Sequence, residues 1–117
     1  MEITIYHNPG CGTSRNTLQY LRDQGLEPKV IEYLKTPPDR ATLKSLLKKM
    51  NITPGDLLRR KGDVYESLKL DAPGVTDDQI LDAMVAHPIL IERPIVVTPS
   101  GAKLCRPWEK VKELVQA

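Results

Sequence analysis

The chain has no phenylalanine, one tryptophan and four tyrosines in 117 residues. Platforms for stacking nucleic-acid bases therefore have little material. It also lacks an excess of charge. Its 17 Lys and Arg stand against 15 Asp and Glu, a formal net charge of +2, too weak and too scattered for a nucleic-acid footprint. No apolar run is long enough to span a bilayer. The first ten residues enter a strand pattern directly and have no signal-peptide layout, so no membrane partner and a cytoplasmic location are expected. Cys11 and Cys105 are too few for a disulfide scaffold. His7, His87 and the two cysteines have no zinc-ligand spacing, so no metal site is expected. With 40% hydrophobic and 27% charged residues, the chain suits one soluble domain, residues 1–117, with a monomer as the default state.

What the chain does have is one conspicuous turn, Tyr6-His7-Asn8-Pro9-Gly10-Cys11-Gly12-Thr13-Ser14-Arg15. Residues 2–6 alternate apolar and polar and predict a strand. Residues 13–24, with Leu18 and Leu21 at helical spacing and Gly25 as a stop, predict a helix. Cys11 thus falls in a Pro/Gly-rich turn at a helix start. Backbone N–H groups there lack helical partners and the helix dipole is positive. Such a place favours thiolate over thiol and cradles an oxyanion. The alternative, a small buried thiol, fits poorly with flanks that mark a surface turn. Ser14 occupies the position that would complete a C-x-x-C pair. Cys11 must therefore attack a non-sulfur electrophile or be resolved by an outside thiol.

Along the rest of the chain, residues 29–34 predict a second strand, parallel to the first through a β-α-β connection. A loop through Asp39 leads into a helix whose apolar face is Leu43, Leu46, Leu47 and Met50. Thr53-Pro54 starts a short helix carrying Leu57 and Leu58, and residues 63–70 predict another. Thr76-Asp77-Asp78-Gln79 is a capping box, followed by inward-facing Ile80, Leu81, Met84 and Val85 and ended near His87 by Pro88. Residues 95–98 and 102–106 predict an antiparallel pair joined at Pro99-Ser100-Gly101. Pro107 is expected in the first turn of a last helix, with Trp108, Val111, Leu114 and Val115 inside. The order β-α-β, helices, β-β-α predicts an α/β, thioredoxin-like fold. It has a mixed four-stranded sheet and a helical insertion, about 39–87, between the second and third strands.

Around Cys11 the candidate anion binders are Arg15, Arg59, Arg93 and Arg106; a lone arginine is more commonly a solvated surface charge. Arg93 and Arg106 stand apart, because neighbouring strands can bring both to one sheet end, where guanidinium forks suit a tetrahedral oxyanion. His7 is either an imidazole tuning the thiol or a strand-end histidine bonded to backbone. Cys105 is either a resolving thiol or a small core residue; it alternates with Leu104 and Arg106, and if Arg106 faces the site Cys105 faces the opposite side of the sheet, which favours the core. His87 reads as a favourable last-turn residue.

His7-Asn8-Pro9 with Cys11-Gly12-Thr13-Ser14-Arg15-Asn16-Thr17 closely resembles the active-site loop of the glutaredoxin-coupled arsenate reductases of the thioredoxin superfamily. The resemblance continues through Leu57-Leu58-Arg59, Thr76-Asp77-Asp78-Gln79 and His87-Pro88-Ile89-Leu90-Ile91. It ends with Arg93-Pro94-Ile95-Val96-Val97-Thr98-Pro99 and Leu104-Cys105-Arg106-Pro107. It implies Cys11 as the nucleophile that forms a thiol ester with arsenate, supported by His7 and Ser14. Arg59, Arg93 and Arg106 would hold the oxygens, with Arg15 and Gly12 of the loop assisting, and Pro94 would be the superfamily's cis-proline. No tightly bound cofactor is implied; glutathione is the co-substrate, and glutaredoxin supplies the reducing step that leaves arsenite. Gly10 departs from the alanine common in such members. Two other readings share the fold. One is an Spx-type regulator that binds RNA polymerase, whose switch ordinarily uses the C-x-x-C that Ser14 removes. The other is a general glutathione-linked thiol oxidoreductase, for which the extra arginines would have no purpose.

Overall fold

A computed structural model describes residues 2–115. The chain divides into two compact units, one made of the residues up to Thr36 with those from Arg93 onward, the other of Pro37–Glu92.

The first unit holds the sheet. Strands β1 (Thr4–His7), β2 (Lys29–Glu32), β3 (Ile95–Thr98) and β4 (Gly101–Leu104) lie in the order β2-β1-β3-β4. β1 pairs parallel with β2 and antiparallel with β3, and β3 pairs antiparallel with β4. The sheet is therefore mixed, as the element order predicts. Helix α1 (Gly12–Asp23) connects β1 to β2 and buries Ser14, Thr17, Leu18 and Leu21. Past its end Gly25 takes φ +78°, a left-handed conformation that costs glycine nothing and lets the chain turn back. Ile3, Ile5, Leu18, Leu21, Val96, Cys105, Val111 and Leu114 form one buried cluster, in which apolar residues of the sheet meet those of the flanking helical segments.

Several boundaries differ from those the sequence predicts. β2 stops at Glu32, because the chain turns there with Lys35 N–H donating to Glu32 O at 2.9 Å. β4 stops at Leu104 and does not run through Arg106, since Arg106 N–H bends back to Leu104 O at 3.1 Å. Pro107 is not inside a helix. Its extended ψ of 162° makes it the cap of a 3₁₀ turn, Trp108–Val111, which then passes into the short helix α6 (Lys112–Val115). The Arg93–Pro94 and Arg106–Pro107 peptides are both cis.

The second unit is helical. Helix α2 (Arg40–Met50) is capped by Asp39, whose side chain accepts from Thr42 N–H, and it ends at Asn51 in the left-handed region. Its buried residues are Leu43, Leu46 and Leu47, with Met50 half-buried. Helix α3 (Pro54–Leu57) begins with a capping box between Thr53 and Asp56. Helix α4 (Asp63–Ser67) is shorter than expected because Lys69 adopts φ +52°, which ends helical hydrogen bonding. Helix α5 (Asp77–Ala86) carries the expected Thr76–Gln79 capping box and packs on α2 and α3. It buries Ile80, Leu81 and Met84 and leaves Val85 half-buried. A 3₁₀ turn, Pro88–Leu90, follows. No helix of the described residues is long and apolar enough to cross a membrane.

Candidate active site

The site forms where β1 gives way to α1. Cys11 is the N-cap of α1, in extended conformation and partly exposed, and no side chain caps the helix. The first turn contains no acidic residue, so nothing local cancels the positive end of the dipole. Gly12 is the first helical residue. The turn is tied down by its own groups. Cys11 N–H donates to Asn8 O at 3.0 Å, and Arg15 N–H donates to Cys11 O at 3.0 Å. Asn8 Oδ1 accepts from Gly10 N–H at 2.9 Å. Arg15 Nη1 donates to Pro9 O at 2.8 Å, so this arginine is engaged with the loop backbone.

Two other arginines reach the sulfur. Arg106 Nη1 lies 3.7 Å from Cys11 Sγ and donates to Arg93 O at 3.0 Å. Arg93 is 7% exposed, and its Nε and Nη1 have no hydrogen-bond partner among the described residues. Burial alone would push the Cys11 thiol up. The Ser14 backbone N–H and the guanidinium groups of Arg93 and Arg106 outweigh it and bring the thiol below its ordinary value, as positive charge and N–H donors do for any thiolate.

His7 and Ser14 form a buried pair, with His7 Nδ1 2.6 Å from Ser14 Oγ. The same hydroxyl accepts from Asn8 N–H at 3.0 Å. Burial lowers the imidazole's pKa, Glu32 works against that, and Arg22 and Arg15 add to it. The ring is therefore neutral near pH 7. Among the described residues the contact shown for the ring is neither with the thiol nor with backbone, and it reaches the loop through the Ser14 hydroxyl.

Arg59 sits in the second unit. It is paired there with Glu92 at 3.0 Å and is partly buried; its N–H donates to Leu90 O at 2.7 Å. Cys105 lies in the core cluster of the first unit, fully buried, and burial pushes its thiol up to about 12. Among the described residues no group of three or more His, Cys, Asp or Glu is placed to hold a metal ion. Sequence reasoning missed Asn8, which gives the loop three of its hydrogen bonds. Its place two residues before a glycine, where asparagine side chains often close turns, was the available signal.

Taken together, the groups make a thiol poised to ionise, with a buried guanidinium two of whose nitrogens are unmet. Such a site can bind a compact oxyanion and attack it with sulfur. Residues 6–114 match the family model described as the ArsC family. An arsenate reductase of Escherichia coli is 57% identical over 97% of this chain and 80% of its own length. One of Rhizobium meliloti is 50% identical over 98% of this chain and 82% of its own. The solved arsenate reductase of Vibrio cholerae superposes with a TM-score of 0.93 at 42% identity, over 98% of each chain.

Proposed function

The chain belongs to the ArsC family, and from that membership we propose that it reduces arsenate to arsenite through Cys11, with glutathione and glutaredoxin as the source of electrons. In the first step the Cys11 thiolate attacks arsenic. An As–S bond forms, and one arsenate oxygen leaves as water after protonation. Arg93 and Arg106 hold the remaining oxygens, whose negative charge persists through the attack. Glutathione then adds, and the glutaredoxin dithiol carries the exchange onward. The net change is arsenate plus two thiols giving arsenite, one disulfide and one water. Arsenic gains two electrons and two sulfurs lose one each.

The observation that supports this most is the buried Arg93 with two unmet N–H donors beside a thiol of lowered pKa. Leaving donors unpaired in the interior is costly unless something fills the place, and a tetrahedral oxyanion presents several acceptor oxygens to a guanidinium fork. His7 and Ser14 support the thiol, Arg15 and Gly12 assist the anion from the loop, and Pro94 is a structural residue of the site. The family resemblance adds Arg59 to the substrate-binding set. We read the chain as one thioredoxin-like domain, with residues of about 39–87 as an insertion, working as a monomer in the reducing cytoplasm.

The test is arsenate-dependent oxidation of NADPH in a system containing glutathione, glutathione reductase and glutaredoxin. Turnover that requires all of them, with arsenite as product, is the expected result. No turnover with arsenate, combined with co-purification with RNA polymerase, would favour the regulator reading. Turnover of a glutathionylated protein but not of arsenate would favour the general oxidoreductase.

A further inference from the structure

One face of α1 leads away from the thiol. Gly12, Asn16, Gln19 and Asp23 follow one another at helical spacing and are exposed, with Tyr20 beside them. Arg106, which reaches the Cys11 sulfur, stands two residues before Trp108. The two segments that leave the thiol meet again further along, since α1 packs on the 3₁₀ turn that Trp108 begins. There Asn16, Gln19, Tyr20, Asp23 and Trp108 line an open groove of about 320 Å³. The Tyr20 and Trp108 rings lie 5.7 Å apart, tilted at 47°. Both are half-buried and pack on the core cluster of the first unit, so the rings are held in place. The Lys112 ammonium sits 5.5 Å from the Trp108 ring centre and 5.7 Å from that of Tyr20.

We propose that this groove is where the dithiol protein that returns electrons to the site docks; the partner's identity as a glutaredoxin rests on the proposed function above. Reach decides the kind of occupant. At 1.5 Å per residue, Tyr20 lies about 12 Å along α1 from Gly12. A tripeptide spans about 10 Å at full stretch, so glutathione with its sulfur at Cys11 ends short of the rings. A protein partner covers about 600–800 Å² on each side, a disc of about 14–16 Å radius. Centred on the thiol, such a disc takes in the groove. Charge decides the partner's character. Among the described residues Lys112 and the exposed Arg15 have no carboxylate partner. The nearby acids are spoken for: Gln19 Nε2 donates to Asp23 at 2.8 Å, Lys103 pairs with Glu113 at 3.2 Å, and exposed Glu109 stands beside exposed Lys110. What is left uncompensated is cationic, so the complementary surface carries carboxylates around an apolar patch beside its own thiol. A second copy of this chain would bring one cationic rim against another. Tryptophan and tyrosine held on a core are the residues that anchor protein interfaces.

A reaction without arsenate separates docking from substrate chemistry. Oxidised glutathione first converts Cys11 to its mixed disulfide and releases one glutathione; Cys105, fully buried, does not compete. Reduced glutaredoxin then attacks the glutathione sulfur, and Cys11 leaves as thiolate. The second glutaredoxin thiol closes a disulfide and releases glutathione, so one disulfide is reduced as another forms. The return of free Cys11 is followed by mass spectrometry. In Trp108→Ala the second-order rate with glutaredoxin should fall about tenfold or more, while the rate with dithiothreitol, too small to span the groove, stays the same. The KM for arsenate and the pH inflection of Cys11 alkylation by iodoacetamide should not move. A parent mixed disulfide that glutaredoxin does not reduce, or an unchanged rate in the variant, overturns the proposal. So does an equal loss with both reductants, which would place the effect at the thiol itself. A parent dimer that Trp108→Ala dissolves would assign the face to a second copy and overturn it too. A glutaredoxin rate that falls as expected, in a chain that does not turn over arsenate, leaves the docking surface standing and removes the substrate assignment.

Should Trp108→Ala not fold, two measurements on folded protein decide the matter. Lys112→Glu reverses the charge over the rings and should slow glutaredoxin severalfold, with dithiothreitol unaffected; an unchanged ratio of the two rates counts against the groove. Trp108 is the chain's one tryptophan, so 5-fluorotryptophan gives a single ¹⁹F signal. Unlabelled glutaredoxin should shift or broaden that signal in Cys11→Ser, where no disulfide with residue 11 can form. A signal that stays fixed at glutaredoxin concentrations above the KM of the coupled assay overturns the proposal.

Discussion

The two cysteines of this chain share a side chain and differ in everything around it. Cys11 sits at a helix start with a backbone N–H and two guanidinium groups turned toward it. Cys105 lies in the core cluster that also holds Val96 and Val111, its sulfur 3.7 Å from the carbonyl of Lys103. Both suffer desolvation, which favours the neutral thiol. At Cys11 donors and cations outweigh it; at Cys105 the nearby lysines do not, and the thiol is pushed up to about 12. Burial alone therefore does not decide whether a cysteine is reactive. What decides it is whether the neighbours that accompany burial stabilise a negative sulfur.

The contrast can be broken most severely by Cys11→Ser. A serine hydroxyl ionises far less readily than a thiol, so arsenate turnover should fall to the background of the coupled assay while circular dichroism stays native. Retained turnover would move the chemistry elsewhere, with Cys105 the first place to look. Arg93→Ala comes next. A hydrogen bond to a charged group is worth about 1.5–3 kcal/mol, so kcat/KM for arsenate should drop on the order of 10- to 100-fold, mostly through KM. The Cys11 alkylation inflection should rise as well. A loss confined to kcat would mean that Arg93 acts on a later step and not on anion binding.

The smallest effect is expected from Cys105→Ala. Activity should be unchanged, and stability at neutral pH should fall by about 1 kcal/mol from the small void left. The pH dependence carries the sharper information. A thiol whose folded pKa is raised contributes stability that is fully present below its unfolded value of about 8.5. That contribution is lost as pH rises toward the folded value of about 12. Over that window the unfolded chain has released a proton that the folded chain still holds, so unfolding becomes easier as pH rises. Urea midpoints measured from neutral to alkaline pH should decline less steeply in Cys105→Ala than in the parent. Parallel declines would mean that Cys105 does not carry this linkage.

Local chemistry made much of this readable. The Thr76–Gln79 box, the helix end at His87 before Pro88 and the strand at Ile95–Thr98 all rest on interactions within a few residues. The helix start at Cys11 is of the same kind. Errors fell where the tertiary environment overruled local preference. Pro107 has a φ suited to a helix start, yet its ψ keeps it extended ahead of the 3₁₀ turn. Arg106 continues a strand-like alternation, yet its N–H turns back to Leu104 O and frees its side chain to reach Cys11.

The reactive turn is legible in the amino-acid order, because a strand end, a Pro/Gly pair and a helix start are all local, and Arg93 and Arg106 stand out there as the arginines to watch. It could not set Arg106 within reach of the Cys11 sulfur, since that approach depends on the pairing of strands far apart in the chain. Nor could it reveal that Arg93 is buried with Nε and Nη1 unmet. That state depends on what every surrounding element fails to supply, and no stretch of sequence carries it alone.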